Sequence, residues 1–234
     1  MIADTRTNAG VDNVSVFRKL HLFEDPGQVV IGLASAGNLA VTQSVLTLLT
    51  EGFVNHETGK TDQLVNATSM FQAAQMVGRA IREVHRVDGL SEEQTQSGAF
   101  DVTMLLGGQV HGGRLRLFMV YSAGNFIEAT TDTPYLQIGE HKYGKPILDR
   151  SITEETDLYD ALKLGLISMD STIRSNLSVG LPIDILVLRR DAIEADLNYR
   201  IHETEPYFHD LRERWSSALR DAHTAIPKPP YKSE

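Results

Sequence analysis

A single lysine, Lys19, interrupts an apolar run near the start of the chain. The apolar residues around it are Phe17, Leu20, Leu22 and Phe23. A lysine in such a run needs either a carboxylate partner or a chemical role, because burying an unpaired ammonium group is costly. The candidate partner is Asp4.

A second charge, Arg6, lies two residues after Asp4. In an extended segment this spacing places both charges on one face, with Thr5 on the other. Two interpretations of Asp4 and Lys19 remain open. They could form an ordinary ion pair at the end of a sheet, which contributes little if it is exposed, or they could belong to a reactive site.

The composition excludes several classes of function. The formal net charge is -9 over 234 residues, which argues against binding to nucleic acid or to an anionic membrane. There are no cysteines, which excludes disulfides, a thiolate nucleophile and a cysteine-ligated zinc site. No apolar run is long enough to span a membrane, and the first residues do not form a signal peptide. We expect a soluble, cytoplasmic protein.

The hydrophobic pattern predicts an α+β fold in which helices cover both outer sides of a two-sheet sandwich. The strand pairs resemble hairpins, which favours antiparallel pairing. Predicted strands are 14–23, 29–34, 100–106, 115–121, a short one near Ile127, 135–138, 183–188 and 199–202. Predicted helices are about 39–50, 67–87, 155–174 and 206–225, with the polar segment 91–98 after the second.

Gly37 stands where a predicted strand passes into a predicted helix. Glycine permits close backbone approach, and the first N–H groups of a helix have no partner within the helix. Such N–H groups can stabilise an oxyanion. Alternatively, the segment is an ordinary turn with Asn38 as the helix N-cap.

The other glycines and the histidines do not indicate a cofactor or metal site. The glycine pairs at 107–108 and 112–113 lack the lysine and hydroxyl residue of a phosphate-binding loop. The histidines at positions 85, 111, 141, 202, 209 and 223 show no spacing typical of paired metal ligands. We therefore predict neither a cofactor nor a metal.

Taken together, the ordered motifs resemble the β-type subunits of the proteasome, which are N-terminal-nucleophile hydrolases, and most closely the bacterial ancestral-β-subunit (Anbu) group. The matching residues are Asp4-Thr5-Arg6, then Lys19, then Ser35-Ala36-Gly37, then Thr42-Gln43. The resemblance extends from Ala3 to about Arg190. It implies a four-layer αββα sandwich, with a hydrolase domain over 1–205 and a C-terminal helix and proline-rich tail over 206–234.

The resemblance also implies threonine peptidase chemistry. In this family a threonine at the start of the mature chain is the nucleophile, and its own amine, with a pKa near 8, is the base. Lys19 then matches the lysine beside that amine, Asp4 its orienting carboxylate and Arg6 a neighbouring structural charge. Gly37 matches the glycine whose N–H stabilises the oxyanion.

Two later segments match the family only in part. Ser178 matches a serine that lies beside the nucleophile, but the position of the family's aspartate falls on Ser175. In the glycine-serine loop, Gly139 matches and the serine position falls on Glu140. Glu140 could replace that serine as a hydrogen-bond acceptor, whereas the segment around Ser175 could equally be a polar end of a helix.

The expected nucleophile is not in this sequence. In the family, a strand of about 15 residues with its turn precedes the Asp-Thr-Arg segment, whereas Asp4 is nearly the first residue here. We expect that Met1 stands at an internal methionine and that the chain as printed is inactive. Thr5 cannot replace the missing threonine, because cleavage before it would remove Asp4.

The expected assembly is a homo-oligomer, either a closed ring or an open helix, that acts on unfolded peptides; an unfoldase partner is not identified. Two alternatives remain. The chain could be a non-catalytic structural subunit of such an assembly, or an N-terminal-nucleophile amidase that acts on a small molecule.

Overall fold

All strand pairs are antiparallel in the parts of the chain that the computed structural model describes, which are residues 1–8, 14–56, 58–88 and 100–231. The three-stranded sheet contains, in spatial order, β1 (Ile2–Asp4), β11 (Ile183–Leu188) and β12 (Ala195–Ile201). The five-stranded sheet contains β10 (Phe126–Glu128), β9 (Arg116–Val120), β8 (Val102–Val110), β5 (Val29–Gly37) and β4 (Leu20–Asp25). Two small hairpins pair β2 (Arg6–Asn8) with β3 (Val14–Val16) and β6 (Phe53–Val54) with β7 (Thr61–Asp62).

The described helices are α1 (Leu39–Glu51), α2 (Met70–Val87), α3 (Lys145–Ser151), α4 (Leu158–Ser175) and α5 (Pro206–Ala225), with a short 3-10 turn at Leu64–Asn66. The α+β prediction is confirmed, and α5 begins and ends at the predicted residues. The predicted polar segment 91–98 lies outside the described residues. None of the described helices combines the length and the apolar character that crossing a membrane requires.

The buried side chains form three clusters that show how the sheets and helices pack. In the first, α1 and α2 cover the five-stranded sheet through residues such as Leu33, Val45 and Ile81. In the second, α4 and α5 pack on the three-stranded sheet, and Ile185 and Phe208 are buried there. The third cluster consists of Leu20, Ala34 and Leu186, contributed by strands of both sheets. The two sheets therefore face each other, and helices cover their other faces.

The predicted strand over 14–23 is wrong as a single element, because it is divided into β3 and β4 with residues 17–19 between them. The Phe17 N–H donates to the Thr5 carbonyl, while the Lys19 carbonyl accepts from the Ser35 N–H. Between Phe17 and Lys19 the backbone therefore stops pairing with the segment around Thr5 and begins to pair with β5. Periodicity could not predict this change, since both halves have the composition of a strand.

One other predicted strand and three predicted starting residues are also wrong. The predicted strand over 135–138 is a loop, and the strand predicted over 199–202 is the longer β12. The helix predicted to begin near 155 begins after Asp157, whose carboxylate accepts from the N–H groups of Tyr159 and Asp160 at 2.9 and 3.4 Å. The helix predicted from 67 begins after Ser69, which caps α2. In both helices a side-chain cap sets the first residue.

We expect Asp157→Ala to lower the free energy of unfolding by about 1 kcal/mol, because two N–H groups of α4 lose their acceptor. Urea denaturation followed by circular dichroism measures this change. Glu155→Ala, at an exposed position just before the cap, is the matched control and should leave the stability nearly unchanged. Equal stability of the two variants would contradict the assigned cap.

Candidate active site

A large cleft of about 1580 Å³ opens between the two sheets. Five of the six residues predicted from the sequence as catalytic line it: Asp4, Arg6, Lys19, Gly37 and Ser178. They come from β1, β2, the 17–19 segment, the end of β5 and the turn after α4. The antiparallel pairing of two separate sheets therefore brings together residues that are up to 174 positions apart in the chain.

Lys19 and Asp4 are in direct contact. The Lys19 Nζ lies 2.7 Å from Asp4 Oδ1 and donates a second hydrogen bond, of 2.5 Å, to the Arg6 carbonyl. The exposed fraction of the Lys19 side chain is 24%, and that of Asp4 is 11%. The pair is thus largely withdrawn from solvent, unlike the exposed surface pairs that contribute little to stability, and its ammonium is held in one position.

Backbone donors complete the environment of the Asp4 carboxylate. Its Oδ2 accepts from the N–H of Arg6 at 3.1 Å and from the N–H of Gly180 at 3.2 Å. Two backbone amides and one ammonium thus bind the two oxygens, which fixes the orientation of the carboxylate. A carboxylate held in this way can in turn orient the lysine that it contacts.

Arg6 is held against Gly180. A Cβ atom added to Gly180 would lie 2.3 Å from Arg6 Cζ, so a larger residue at this position would require the guanidinium group to move. Arg6 Nη1 donates to the Leu177 carbonyl at 3.1 Å. Arg6 therefore links β2 to the turn that follows α4. Its role as a structural charge beside the site stays a prediction.

Thr5 faces away from these charges. It is fully buried, and its Oγ1 donates to the Pro182 carbonyl at 2.8 Å. Its carbonyl accepts from the Phe17 N–H. The alternation predicted for residues 4–6 is thus observed, and the Thr5 hydroxyl is engaged in the fold.

Gly37 ends β5 with a φ of +110°, in the region that favours glycine. A Cβ atom at this position would lie 2.2 Å from the Asp101 carbonyl oxygen. The next N–H, of Asn38, donates to that same carbonyl, and the Asn38 side chain caps α1 by accepting from the Val41 N–H. The Asn38 N–H is therefore already bound to a carbonyl, and Asn38 is the N-cap of α1 that the sequence offered as the alternative. The oxyanion role of Gly37 stays a prediction.

The segment after α4 is organised by Asn176 and Glu140. Asn176 Nδ2 donates to Glu140 Oε2 at 2.8 Å, and Asn176 Oδ1 accepts from the Ser178 N–H at 2.8 Å. Ser175, the last residue of α4, is exposed and is not among the described residues that line the cleft. The catalytic roles of Ser175 and Ser178 stay predictions.

Glu140 and the Met1 amine are among the groups at the cleft whose pKa is shifted. Hydrogen bonds from the Lys142 N–H and, more weakly, from Asn176 lower the pKa of Glu140 below its usual value, because they favour the carboxylate form. Burial lowers the pKa of the Met1 amine from 8.0 to about 6. That amine donates to the Leu186 carbonyl at 2.6 Å, and the Leu186 N–H donates back to the Met1 carbonyl at 2.9 Å. The pairing of β1 with β11 thus continues to the first residue.

Sequence reasoning missed two contributors to the site. It assigned no role to Gly180, whose N–H binds Asp4 and whose lack of a side chain leaves space for Arg6. It also assigned no role to Asn176. The family pattern identified the segment 174–180 as part of the site. It could not indicate the contact between Gly180 and Asp4, because these residues are 176 positions apart and no local pattern in the chain records such a contact.

Comparisons with known proteins give consistent matches among solved structures. Anbu from Hyphomicrobium sp. strain MC1 is 47% identical, with a TM-score of 0.87, and the match covers 98% of this chain and 94% of that chain. Anbu (ancestral β-subunit) from Yersinia bercovieri is 46% identical, with a TM-score of 0.88 and the same coverage. The subunit in the helical assembly of the Anbu complex from Pseudomonas aeruginosa is 43% identical, with a TM-score of 0.88, over 98% of this chain and 92% of that chain. No protein-family model and no curated protein matches the chain.

Proposed function

This chain belongs to the Anbu (ancestral β-subunit) family of proteasome β-subunit homologues, and from this premise we propose that it is a subunit of a proteasome-type threonine peptidase. The observation that carries the proposal is the Lys19 ammonium, which faces the cleft between Asp4 Oδ1 and the Arg6 carbonyl. A largely buried lysine with two fixed acceptors provides a positive charge at a defined position. Such a charge is what a threonine nucleophile and its neighbouring amine require.

In the proposed reaction, the hydroxyl of an N-terminal threonine attacks the carbonyl carbon of a peptide bond. The terminal amine takes the hydroxyl proton, and the oxyanion that forms is stabilised by the N–H at Gly37. Collapse of this intermediate breaks the C–N bond, and the proton passes to the leaving amine. Water then hydrolyses the acyl-threonine ester by the same proton route. Lys19 supplies its positive charge beside the amine, and Asp4 orients Lys19.

We propose that a segment preceding Met1 carries this threonine, so that a protein beginning at Met1 is inactive. Two features support this proposal. In the described sheet, β1 pairs only with β11, and its residues line the cleft. Apolar residues such as Leu105, Leu117 and Leu162 also line it, so the space suits an extended segment laid along β1. Thr5 is not a candidate, because its hydroxyl is buried against Pro182.

Two measurements test the proposed function. The intact mass of the protein isolated from its native source should exceed that of the 234-residue chain and fit a mature chain that begins with threonine. This longer form should hydrolyse peptide-fluorophore substrates, and the chain that begins at Met1 should not. Hydrolysis by the chain that begins at Met1 would contradict the proposed nucleophile.

The same measurements separate the alternatives. If the intact mass of the native protein corresponds to a chain that begins at Met1, and this protein hydrolyses no peptide, a non-catalytic structural subunit is favoured. A threonine-bearing form that cleaves small amides but not peptides would favour an amidase. Each alternative therefore predicts a different combination of native mass and substrate preference.

The proposal extends to architecture and assembly. We infer that the two facing sheets and their helical covers form the four-layer αββα sandwich of N-terminal-nucleophile hydrolases, with 206–234 as an appendage to a domain over 1–205. We also propose a homo-oligomer, since the Pseudomonas aeruginosa relative forms a helical assembly. Peptide substrates and a cytoplasmic location stay predictions from the sequence.

A further inference from the structure

A carboxylate that sequence reasoning treated only as a substitute acceptor bridges two loops at the cleft. Glu140 Oε2 accepts from Asn176 Nδ2, and Glu140 Oε1 accepts from the Lys142 N–H, both at 2.8 Å. The two loops are 36 residues apart in the chain. Each carboxylate oxygen therefore has a donor, and one of these donors belongs to the turn that follows α4.

The loop that carries Glu140 is held by its own hydrogen bonds. Gln137 Nε2 donates to the Glu140 carbonyl at 2.9 Å, and a ring nitrogen of His141 lies 3.1 Å from the Gln137 carbonyl oxygen. Gly139 turns the chain with a φ of +79°, and a Cβ atom there would lie 3.5 Å from the Cβ of Ala36. Glu140 thus projects from a short internally bonded loop beside the end of β5.

Asn176 transmits this contact to the following turn. Its N–H donates to the Thr172 carbonyl at the end of α4, its Oδ1 accepts from the Ser178 N–H, and its carbonyl accepts from the Val179 N–H at 3.2 Å. The next residue is Gly180, whose N–H binds Asp4 Oδ2. The conformation of the turn therefore sets where the Gly180 donor stands relative to Asp4.

We propose that Glu140 and Asn176 are positioning residues for the Asp4–Lys19 pair, because together they hold the 176–180 turn that presents the Gly180 N–H to Asp4. Neither residue touches Lys19 in the contacts described above. Their effect passes through the turn to the carboxylate, and from the carboxylate to the ammonium group. The link to catalysis rests on the proposed function, whereas the positioning itself is a property of the fold.

Glu140 accepts both of its hydrogen bonds, so substitutions that exchange donor and acceptor test its positioning role. In Glu140→Gln, one oxygen is replaced by an amino group, so either Lys142 or Asn176 faces a donor instead of an acceptor. In Asn176→Asp, two carboxylates face each other and repel. Combining the two substitutions restores three bonds. The oxygen of the introduced amide accepts from the Lys142 N–H, its amino group donates to the introduced carboxylate, and that carboxylate accepts from the Ser178 N–H.

Hydrogen exchange of the Gly180 amide, measured by NMR on the chain that begins at Met1, reports on the turn without any need for activity. We expect exchange about tenfold faster in each single variant, as for loss of a hydrogen bond to a charged group, and a return toward the native rate in the double variant. Glu155→Gln, at an exposed site outside the cleft, is the control. An unchanged rate in Glu140→Gln, or a double variant no better than the singles, would overturn the proposal.

The threonine-bearing form provides a second readout. There we expect the single variants to lower kcat with little change in KM, and the double variant to recover kcat. If that form cleaves no peptide while the exchange pattern holds, the proposed function fails and the positioning role stands. If it cleaves peptide and kcat is insensitive to Glu140→Gln, the positioning role in catalysis fails.

Discussion

Replacing Lys19 with alanine in the threonine-bearing form should reduce peptide hydrolysis, measured as kcat/KM, by about 10³-fold. The reason is geometric. The ammonium is fixed by Asp4 Oδ1 and by the Arg6 carbonyl at the cleft, and no water molecule can supply an equivalent fixed charge. Lys19→Arg should also lose most activity, because a planar guanidinium cannot occupy the position of a compact ammonium with the same two acceptors.

The alanine substitution should leave the fold intact. Asp4 keeps the N–H donors of Arg6 and Gly180, so its carboxylate is not left without partners. We expect the free energy of unfolding to fall by about 2 kcal/mol, the usual cost of losing a hydrogen bond to a charged group. Circular dichroism and urea denaturation measure this change. Lys163→Ala, which removes an exposed lysine paired with Asp160, is the control for loss of a charge. Activity of Lys19→Ala within a few-fold of the native form would contradict the assigned site.

The second large effect concerns the stability of the chain that begins at Met1 and its dependence on pH. The Met1 amine has a pKa of about 6 in the folded chain, lowered from 8.0 by burial. Between these two values the unfolded chain binds more protons than the folded chain. The free energy of unfolding should therefore rise as the pH increases across this interval, by about 3 kcal/mol. Below the folded-state pKa the amine is protonated in both the folded and the unfolded chain, so the increase in the free energy of unfolding is absent.

Acetylation of the N-terminus separates this effect from other titrations. The acetylated chain has no charge at Met1, so its unfolding free energy should rise by much less over the same interval. Burial also lowers the pKa of His21, which adds a rise in the same direction, but His21 is present in both forms. The difference between the two urea-denaturation series thus isolates Met1. Equal pH dependence in both would contradict the buried amine.

Local residue patterns were enough to predict much of the framework. The α+β class, the strand over 183–188 and the helix over 206–225 all follow from periodicity and turn residues. The strand predicted over 29–34 also begins where expected, although it continues to Gly37. The residues alone also indicated that Lys19 needs either a carboxylate partner or a chemical role, because burying an unpaired ammonium group is costly. The structure confirms Asp4 as that partner, with Lys19 Nζ 2.7 Å from Asp4 Oδ1.

Tertiary structure alone decided how that pair is held. The Gly180 N–H reaches Asp4 from 176 residues away, and Glu140 reaches Asn176 across 36. Such contacts depend on how two sheets and a helix end meet, and a linear pattern records only neighbours within a few positions. For the same reason the division of 14–23 into two strands was not predicted. The sequence by itself determined which charges need partners, whereas the packing of the two sheets decided which distant backbone groups fix them in place.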